Sequence, residues 1–166
     1  MYIPKHFEVT DVTTLHELIH DYPLATLVTM SANGINANHI PMHLTDTPEP
    51  YGTLQGHMAR ANPLLGEISS DIQALVIFHG PNAYITPSWY ETKKEHGKVV
   101  PTWNYAVAHA YGILQIVDKP EWLLAQLETL TDQNESQFSE PWAIADAPTE
   151  FTEKLLESIV GIEMKI

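Results

Sequence analysis

Hydrophobic and polar positions follow two rhythms along this chain, and the change of rhythm predicts its elements. The two-residue period is clearest over Thr102–Val117. There Tyr105, Val107, His109, Tyr111, Ile113 and Val117 fall on one face, and Ala106, Ala108, Ala110, Gly112 and Leu114 on the other, as an extended strand requires. The small-residue face predicts close approach by another sheet or by a flat ligand. Further strands are predicted at Leu24–Met30, Ile35–Leu44, Gly52–Met58, Gln73–His79, Asn82–Thr86 and Gly161–Ile166. Asn33-Gly34 predicts a type I′ hairpin turn, Gly80-Pro81 a break, and Thr45–Tyr51 a proline-containing loop.

A helical period appears in four places. Val12–Asp21 carries Leu15, Leu18 and Ile19 on one stripe, with Thr14–Glu17 as a capping box and Pro23 as the stop. Asn62-Pro63 predicts an N-cap and first helical position, followed by a short helix over Leu64–Ser70. Glu121–Thr131 places Leu123, Leu124, Leu127 and Leu130 at helical spacing, and Phe151, Leu155, Leu156 and Ile159 mark another helix. The sum is a mainly β (α+β) fold, with a mostly antiparallel sheet, helices at its edges, and a barrel or sandwich form. Neither βαβ alternation nor G-x-G-x-x-G is present, so a dinucleotide fold has no support.

Composition narrows the picture. At 166 residues the chain reads as a single domain over 1–166, with a helical acidic segment at about 118–157. That segment holds ten acidic residues against Lys119 and Lys154. With no Cys, thiolate metal sites and cysteine nucleophiles are excluded. The formal net charge of −13 argues against direct DNA contact by this chain alone. The N-terminal residues show no targeting segment and no apolar run approaches a membrane span, so a soluble cytoplasmic protein is expected.

Two segments could carry chemistry. In Gly56–Pro63 a strand runs into a helix start beside the only arginine, Arg60. Free N–H groups and a guanidinium together suit an anion, phosphate above all. The plain alternative is that Asn62 only caps the helix and Arg60 only pairs with a surface acid. The second segment, Val76–Tyr90 followed by Lys98–Tyr105, gathers Tyr84, Trp89, Tyr90, Trp103 and Tyr105 near Lys93, Lys94 and Lys98. Asn82, Ser88, Thr102 and Asn104 add hydrogen-bonding groups. Aromatics beside cations suit a flat, phosphorylated ligand; the alternative is a packed core with ordinary turns. His16 and His20 stand four apart on the first helix, a chelating spacing, but the run is set aside as a mismatch to H-E-x-x-H. His39 and His43 share a strand face roughly 13 Å apart, so no metal site is expected. No G-x-S-x-G elbow is present.

Five motifs, in order, resemble one family. They are Met1-Tyr2-Ile3-Pro4, Gly56–Pro63, Phe78-His79-Gly80-Pro81, Tyr84–Tyr90 and Val100–Tyr105. Together they resemble the PaiB-type FMN-binding negative transcriptional regulators, within the FMN-binding split-barrel superfamily, over essentially the whole chain. The resemblance implies a six-stranded antiparallel split β-barrel and a homodimer with FMN in a groove at its interface. It implies a phosphate site at the turn formed by His57, Met58, Ala59, Arg60 and Asn62, with Asn38, His39 and Ile40 along the isoalloxazine. Trp103 and Asn104 complete the site from the partner chain, beside Lys98 and Thr102. Members of that family usually run longer and carry a Lys-Leu-Ser-Gln-Asn motif that this chain lacks. A tail that helped to hold FMN or the dimer would leave flavin affinity here reduced.

The resemblance leaves three functions open. The first is flavin-dependent sensing or regulation, acting through a partner protein. The second is an FMN-dependent oxidoreductase of the pyridoxamine-phosphate-oxidase or flavin-reductase type. The third is a haem-binding split barrel, with His109 among the available histidines.

Overall fold

The computed structural model describes residues 1–45 and 50–166. Six strands close a barrel: β1 (Leu24–Ser31), β2 (Gly34–Thr45), β3 (Thr53–Ala59), β4 (Gln73–Ile85), β5 (Thr102–Val117) and β6 (Ile159–Lys165). Their order around it is β1-β2-β3-β6-β5-β4, and every neighbouring pair is antiparallel. Among the described residues the α-helices are α1 (Val12–Asp21), α2 (Thr92–Glu95), α3 (Pro120–Glu135) and α4 (Thr149–Leu156). The predicted split barrel with peripheral helices is thus the observed fold. None of the described helices is long and apolar enough to cross a membrane.

The strand alternation puts one face of each strand inside. Ala25, Leu27, Ile40, Met42, Leu54, Met58, Val76, Phe78, Val160, Ile162 and Met164 form one continuous core. The small face of β5 lines this interior as well: Ala108, Ala110 and Leu114 are buried there. A Cβ at Gly112 would collide with the Lys165 carbonyl and the Met164 side chain. Of the two expectations for that face, the approach of another strand is the one realised, and the strand is β6.

Several local details differ from the sequence reading. Gly34 has φ +106° and no described non-glycine residue has a positive φ. Asn33 is therefore outside the left-handed region, and the turn that Ser31 and Gly34 close is not type I′, which needs both central residues there. Gly80 and Pro81 do not end a strand: β4 runs through them, and its register with β5 shifts between His79 and Asn82, as at a bulge. Asp11 rather than a capping box starts α1, its carboxylate accepting from the Thr14 backbone N–H at 2.9 Å and the Thr14 hydroxyl at 2.7 Å. The helix expected over Leu64–Ser70 is only a 3₁₀ turn, Pro63–Gly66, with Asn62 as its cap. Ile159 belongs to β6 and not to α4. The expected Thr45–Tyr51 loop lies mostly outside the described residues.

α3 covers one outer wall of the barrel. The Trp122 ring lies where a Cβ on Gly161 of β6 would stand, so glycine there sets how closely helix and sheet approach. Leu123 and Gln126 are buried under the same helix. Beyond the bulge, Asn82–Ile85 of β4 pairs only with Thr102–Tyr105 of β5. These residues make a two-stranded ribbon that no third strand supports among the described residues.

Candidate functional site

The turn leaving β3 is tightly held by its own hydrogen bonds. Arg60 forms a bidentate ion pair with Asp118, both distances 2.7 Å. It also donates from Nε to the Glu157 carbonyl at 3.0 Å and from Nη2 to the Ile159 carbonyl at 2.9 Å. Four of the roughly five N–H groups of a guanidinium are thereby used. Hydrogen bonds from Arg60 hold the Asp118 carboxyl below the usual carboxylate range. The Arg60 backbone N–H bonds the Ser158 carbonyl. Asn62 caps Leu64 N–H through Oδ1 at 3.0 Å and donates through Nδ2 to Asn38 Oδ1 at 2.9 Å. The geometry is therefore that of the plain reading: a cap, and an arginine paired with a surface acid. The turn joins β2, β3, β6 and the β5–α3 corner.

Two residues expected beside a ligand lie instead in the core. Ile40 and Met58 are buried inside the barrel, because alternate residues of a strand face opposite ways. Their backbones are paired with Ala25 and Val160. A ligand outside the barrel cannot reach either side chain. Ala59 is exposed, and so is His39, whose Nδ1 lies 3.1 Å from the Thr26 hydroxyl.

The ribbon is the opposite of the turn: its groups are open. Trp103 is 59% exposed and Tyr105 69%. The Tyr84 ring meets Trp103 edge-on at 5.9 Å across the two strands. Thr102, Asn104 and Lys98 are exposed as well. In the connection that follows β4, Lys93 donates to the Ser88 hydroxyl at 2.9 Å, and Lys94 stands 3.8 Å from Glu91. Trp89, Tyr90 and Val100 add exposed apolar surface to the same connection. The predicted residues thus form two groups, one at the β3 exit (Asn38, Ala59, Arg60, Asn62) and one on the ribbon (Lys98, Thr102, Trp103, Asn104). Among the described residues no hydrogen bond joins them.

His57 faces outward from β3, under α3, with Nδ1 2.9 Å from Gln126 Oε1. His43 on β2 is 2% exposed, and its Nδ1 lies 3.5 Å from Gln126 Nε2. Burial lowers the His43 pKa. Gln126 stands in a helix read as a row of leucines, and a buried polar residue inside such a row was the available signal. His109, half-buried on β5, has a buried Nδ1 without a partner, and burial lowers its pKa too.

One metal expectation needs correcting. His16-Glu17-Leu18-Ile19-His20 does fit H-E-x-x-H letter by letter. The structure turns the two rings to different partners: His16 Nε2 donates to the Tyr51 carbonyl at 3.0 Å, and His20 Nδ1 lies 3.1 Å from the Asp21 carboxylate. No group of three or more metal-binding side chains is found among the described residues.

Comparison with known proteins adds to this geometry. Residues 1–166 match the family described as "Putative FMN-binding domain". An uncharacterized protein of Emericella nidulans is 38% identical, covering all of this chain and 80% of its own length. The protease synthase and sporulation protein PAI 2 of Bacillus subtilis is 31% identical, covering all of this chain and 77% of its own. Among solved structures, the FAD and heme binding protein from Mycobacterium smegmatis superposes with a TM-score of 0.69 at 18% identity, over 95% of this chain and 67% of that one. At that identity the likeness is one of fold.

Proposed function

The chain belongs to the FMN-binding domain family, and from that premise we propose that two copies pair through the β4–β5 ribbon and hold FMN between them for flavin-dependent sensing or regulation. The observation that carries this reading is the ribbon itself. Two strands alone are marginal in water, and these two expose Tyr84, Trp103 and Tyr105. A flat ring system and a second protein surface would cover those faces.

The residues fit FMN as two half-sites. On the ribbon of one copy, Trp103 supplies a face for the isoalloxazine, and Thr102 and Asn104, whose side chains alternate to the other face, border it at the ribbon's edge. Asn38, His39, His57 and the β3 exit turn belong to the half-site on the other copy. The phosphate needs positive charge. Arg60 is largely committed to Asp118, so Arg60 is the strut that shapes the turn, and Lys98 with Lys93 and Lys94 supplies the charge. Bound FMN would supply one- or two-electron redox chemistry. The chain's own residues would bind it, orient it and shield it from water.

The −13 charge disfavours direct contact with DNA, so a regulatory role would run through a partner protein. FMN titration of the purified chain, read by flavin absorbance and fluorescence, tests the binding. Uptake of one FMN per chain at micromolar FMN is expected, and no uptake would overturn the proposal. Reduction of bound FMN by NAD(P)H would move the reading to an oxidoreductase. The haem reading has one local observation in its favour, the unpartnered His109 nitrogen. Haemin titration decides it, through a Soret band that a His109→Ala substitution removes.

A further inference from the structure

Gln126 sits on α3 with 1% of its surface exposed, and its amide lies between two histidine rings from neighbouring strands. Oε1 is 2.9 Å from Nδ1 of His57, and Nε2 is 3.5 Å from Nδ1 of His43. A primary amide has one accepting end and one donating end. The two histidines therefore cannot play the same part toward it. One Nδ1 must carry a proton and donate, and the other must be bare and accept. Turning the amide over swaps the two parts without removing the opposition.

The surroundings choose between the two arrangements. The closer contact is to His57, and with Oε1 turned toward that ring, as it stands in the structure, His57 is the donor. His43 is buried, which lowers its pKa and favours the neutral ring, and a neutral ring that accepts at Nδ1 carries its proton on Nε2. Among the described residues that nitrogen has no partner within hydrogen-bond geometry, and Gln55, the cross-strand partner of His43 on β3, is the neighbouring side chain whose hydrogen bonding opposes the effect of burial on the ring. Gln55 in turn donates to Glu163 of β6 at 3.5 Å. Glu163 is the carboxylate that these hydrogen bonds connect to this face, and Gln126 brings no charge from α3.

We infer that Gln126 is a positioning residue that locks His57 in its Nδ1–H form, so that His57 offers a ligand only a bare, accepting Nε2. This rests on the reading that FMN lies against the β3 exit. Neutral His57 then accepts from a hydroxyl, such as those of the ribityl chain. It donates to an anionic oxygen only after protonation at Nε2. That protonation leaves the bond to Gln126 intact, whereas protonation of His43 at Nδ1 sets one donor against another. A glutamine that only filled space would fix neither ring.

Long-range ¹H–¹⁵N NMR of the histidine rings in the ligand-free protein reads the protonated nitrogen directly. The expected result is His57 protonated on Nδ1 and His43 on Nε2. A His57 ring protonated mainly on Nε2 would overturn the inference. In Gln126→Leu, His57 should shift toward the Nε2–H form and FMN should bind about fivefold more weakly, the effect of one lost hydrogen bond. In Gln126→Glu a carboxylate accepts from His57 as before, so the His57 tautomer and FMN affinity should both be retained, whereas His43, which now also faces an acceptor, should move its proton to Nδ1. A Gln126→Leu protein with an unchanged His57 tautomer, or with unchanged FMN affinity, would also overturn the inference. If Gln126→Leu does not fold, the unsubstituted protein and Gln126→Glu still decide the question. If the unsubstituted protein takes up no FMN, the proposed function fails, and the tautomers still report on the lock.

Discussion

The barrel has two outer walls built from the same kind of strand, and they have opposite fates. The wall of β2, β3 and β6 is closed by its own chain. Trp122 fits over Gly161, Leu123 is buried, and Gln126 engages two histidines. The β4–β5 ribbon has no such cover and presents Tyr84, Trp103 and Tyr105 to solvent. Residues on the closed wall answer first for the stability of the chain, and His57 beneath α3 is also placed toward FMN by the proposed function. Residues on the open ribbon have no such packing duty, and on the proposed function they take up the flavin and the second copy. Four predictions follow that contrast, from the largest effect to the smallest.

The first breaks the closed wall. Gly161→Val puts carbon atoms where the Trp122 ring stands, so α3 must lift. We expect a loss of about 3 kcal/mol or more in urea denaturation. Leu123→Ala should cost about 2–5 kcal/mol by leaving a cavity. If both substitutions are silent, α3 is not the cover described here.

The second moves to the ribbon. Trp103→Asp should leave protomer stability within about 0.5 kcal/mol and weaken FMN binding at least about tenfold. Sedimentation should show the proposed dimer shifted to monomer. A large loss of stability with binding unchanged would reverse the roles of the two walls.

The third uses pH on the closed wall. Burial depresses the His43 pKa in the folded state, so near and below the ordinary histidine value the unfolded chain binds the extra proton. The stability contributed at higher pH is then lost as pH falls through the ordinary histidine range. His43→Leu should flatten that part of the stability curve. His109, also depressed, should leave a residual slope. A slope of the same size in His43→Leu would remove His43 as its source.

The fourth concerns the corner between the walls. Arg60 and Asp118 form one exposed ion pair, and Arg60 alone also holds the Glu157 and Ile159 carbonyls, so Arg60→Ala and the double substitution should lower the melting temperature by similar amounts and Asp118→Ala by less. FMN affinity separates strut from clamp. As a strut, Arg60 is loosened by Asp118→Ala, so FMN binding weakens in both single substitutions, and more in Arg60→Ala. If Arg60 clamps the phosphate, Arg60→Ala weakens binding while Asp118→Ala, which frees the guanidinium, does not.

The fold was largely legible in the sequence because binary alternation fixes strands directly. β5 occupies Thr102–Val117 as predicted, since the small and large faces never fall out of step there. α1 occupies Val12–Asp21 as predicted. What the pattern missed depends on distant partners or on exact backbone angles. A bulge and a strand break look the same at Gly80-Pro81, because glycine and proline mark both. The short helix after Asn62 shrank to one turn over a run that contains Gly66, Ser69 and Ser70, weak helix formers. Around the proposed site, the motifs could not name the contacts that hold the β3 exit turn. Arg60 was visible as the single arginine, whereas Asp118, 58 residues away, was one acid among many. Ile40 and Met58 were drawn into the site by adjacency in sequence, although alternation turns their side chains to the core.

The most direct test of the central contrast is sedimentation of the FMN-loaded protein, followed at a flavin wavelength. FMN should travel with a species of twice the chain mass at one flavin per chain, and Trp103→Asp should leave the flavin behind with the protein monomeric. Flavin travelling with the monomer, or with a dimer that Trp103→Asp does not disturb, would contradict the assignment of the open ribbon as the binding wall.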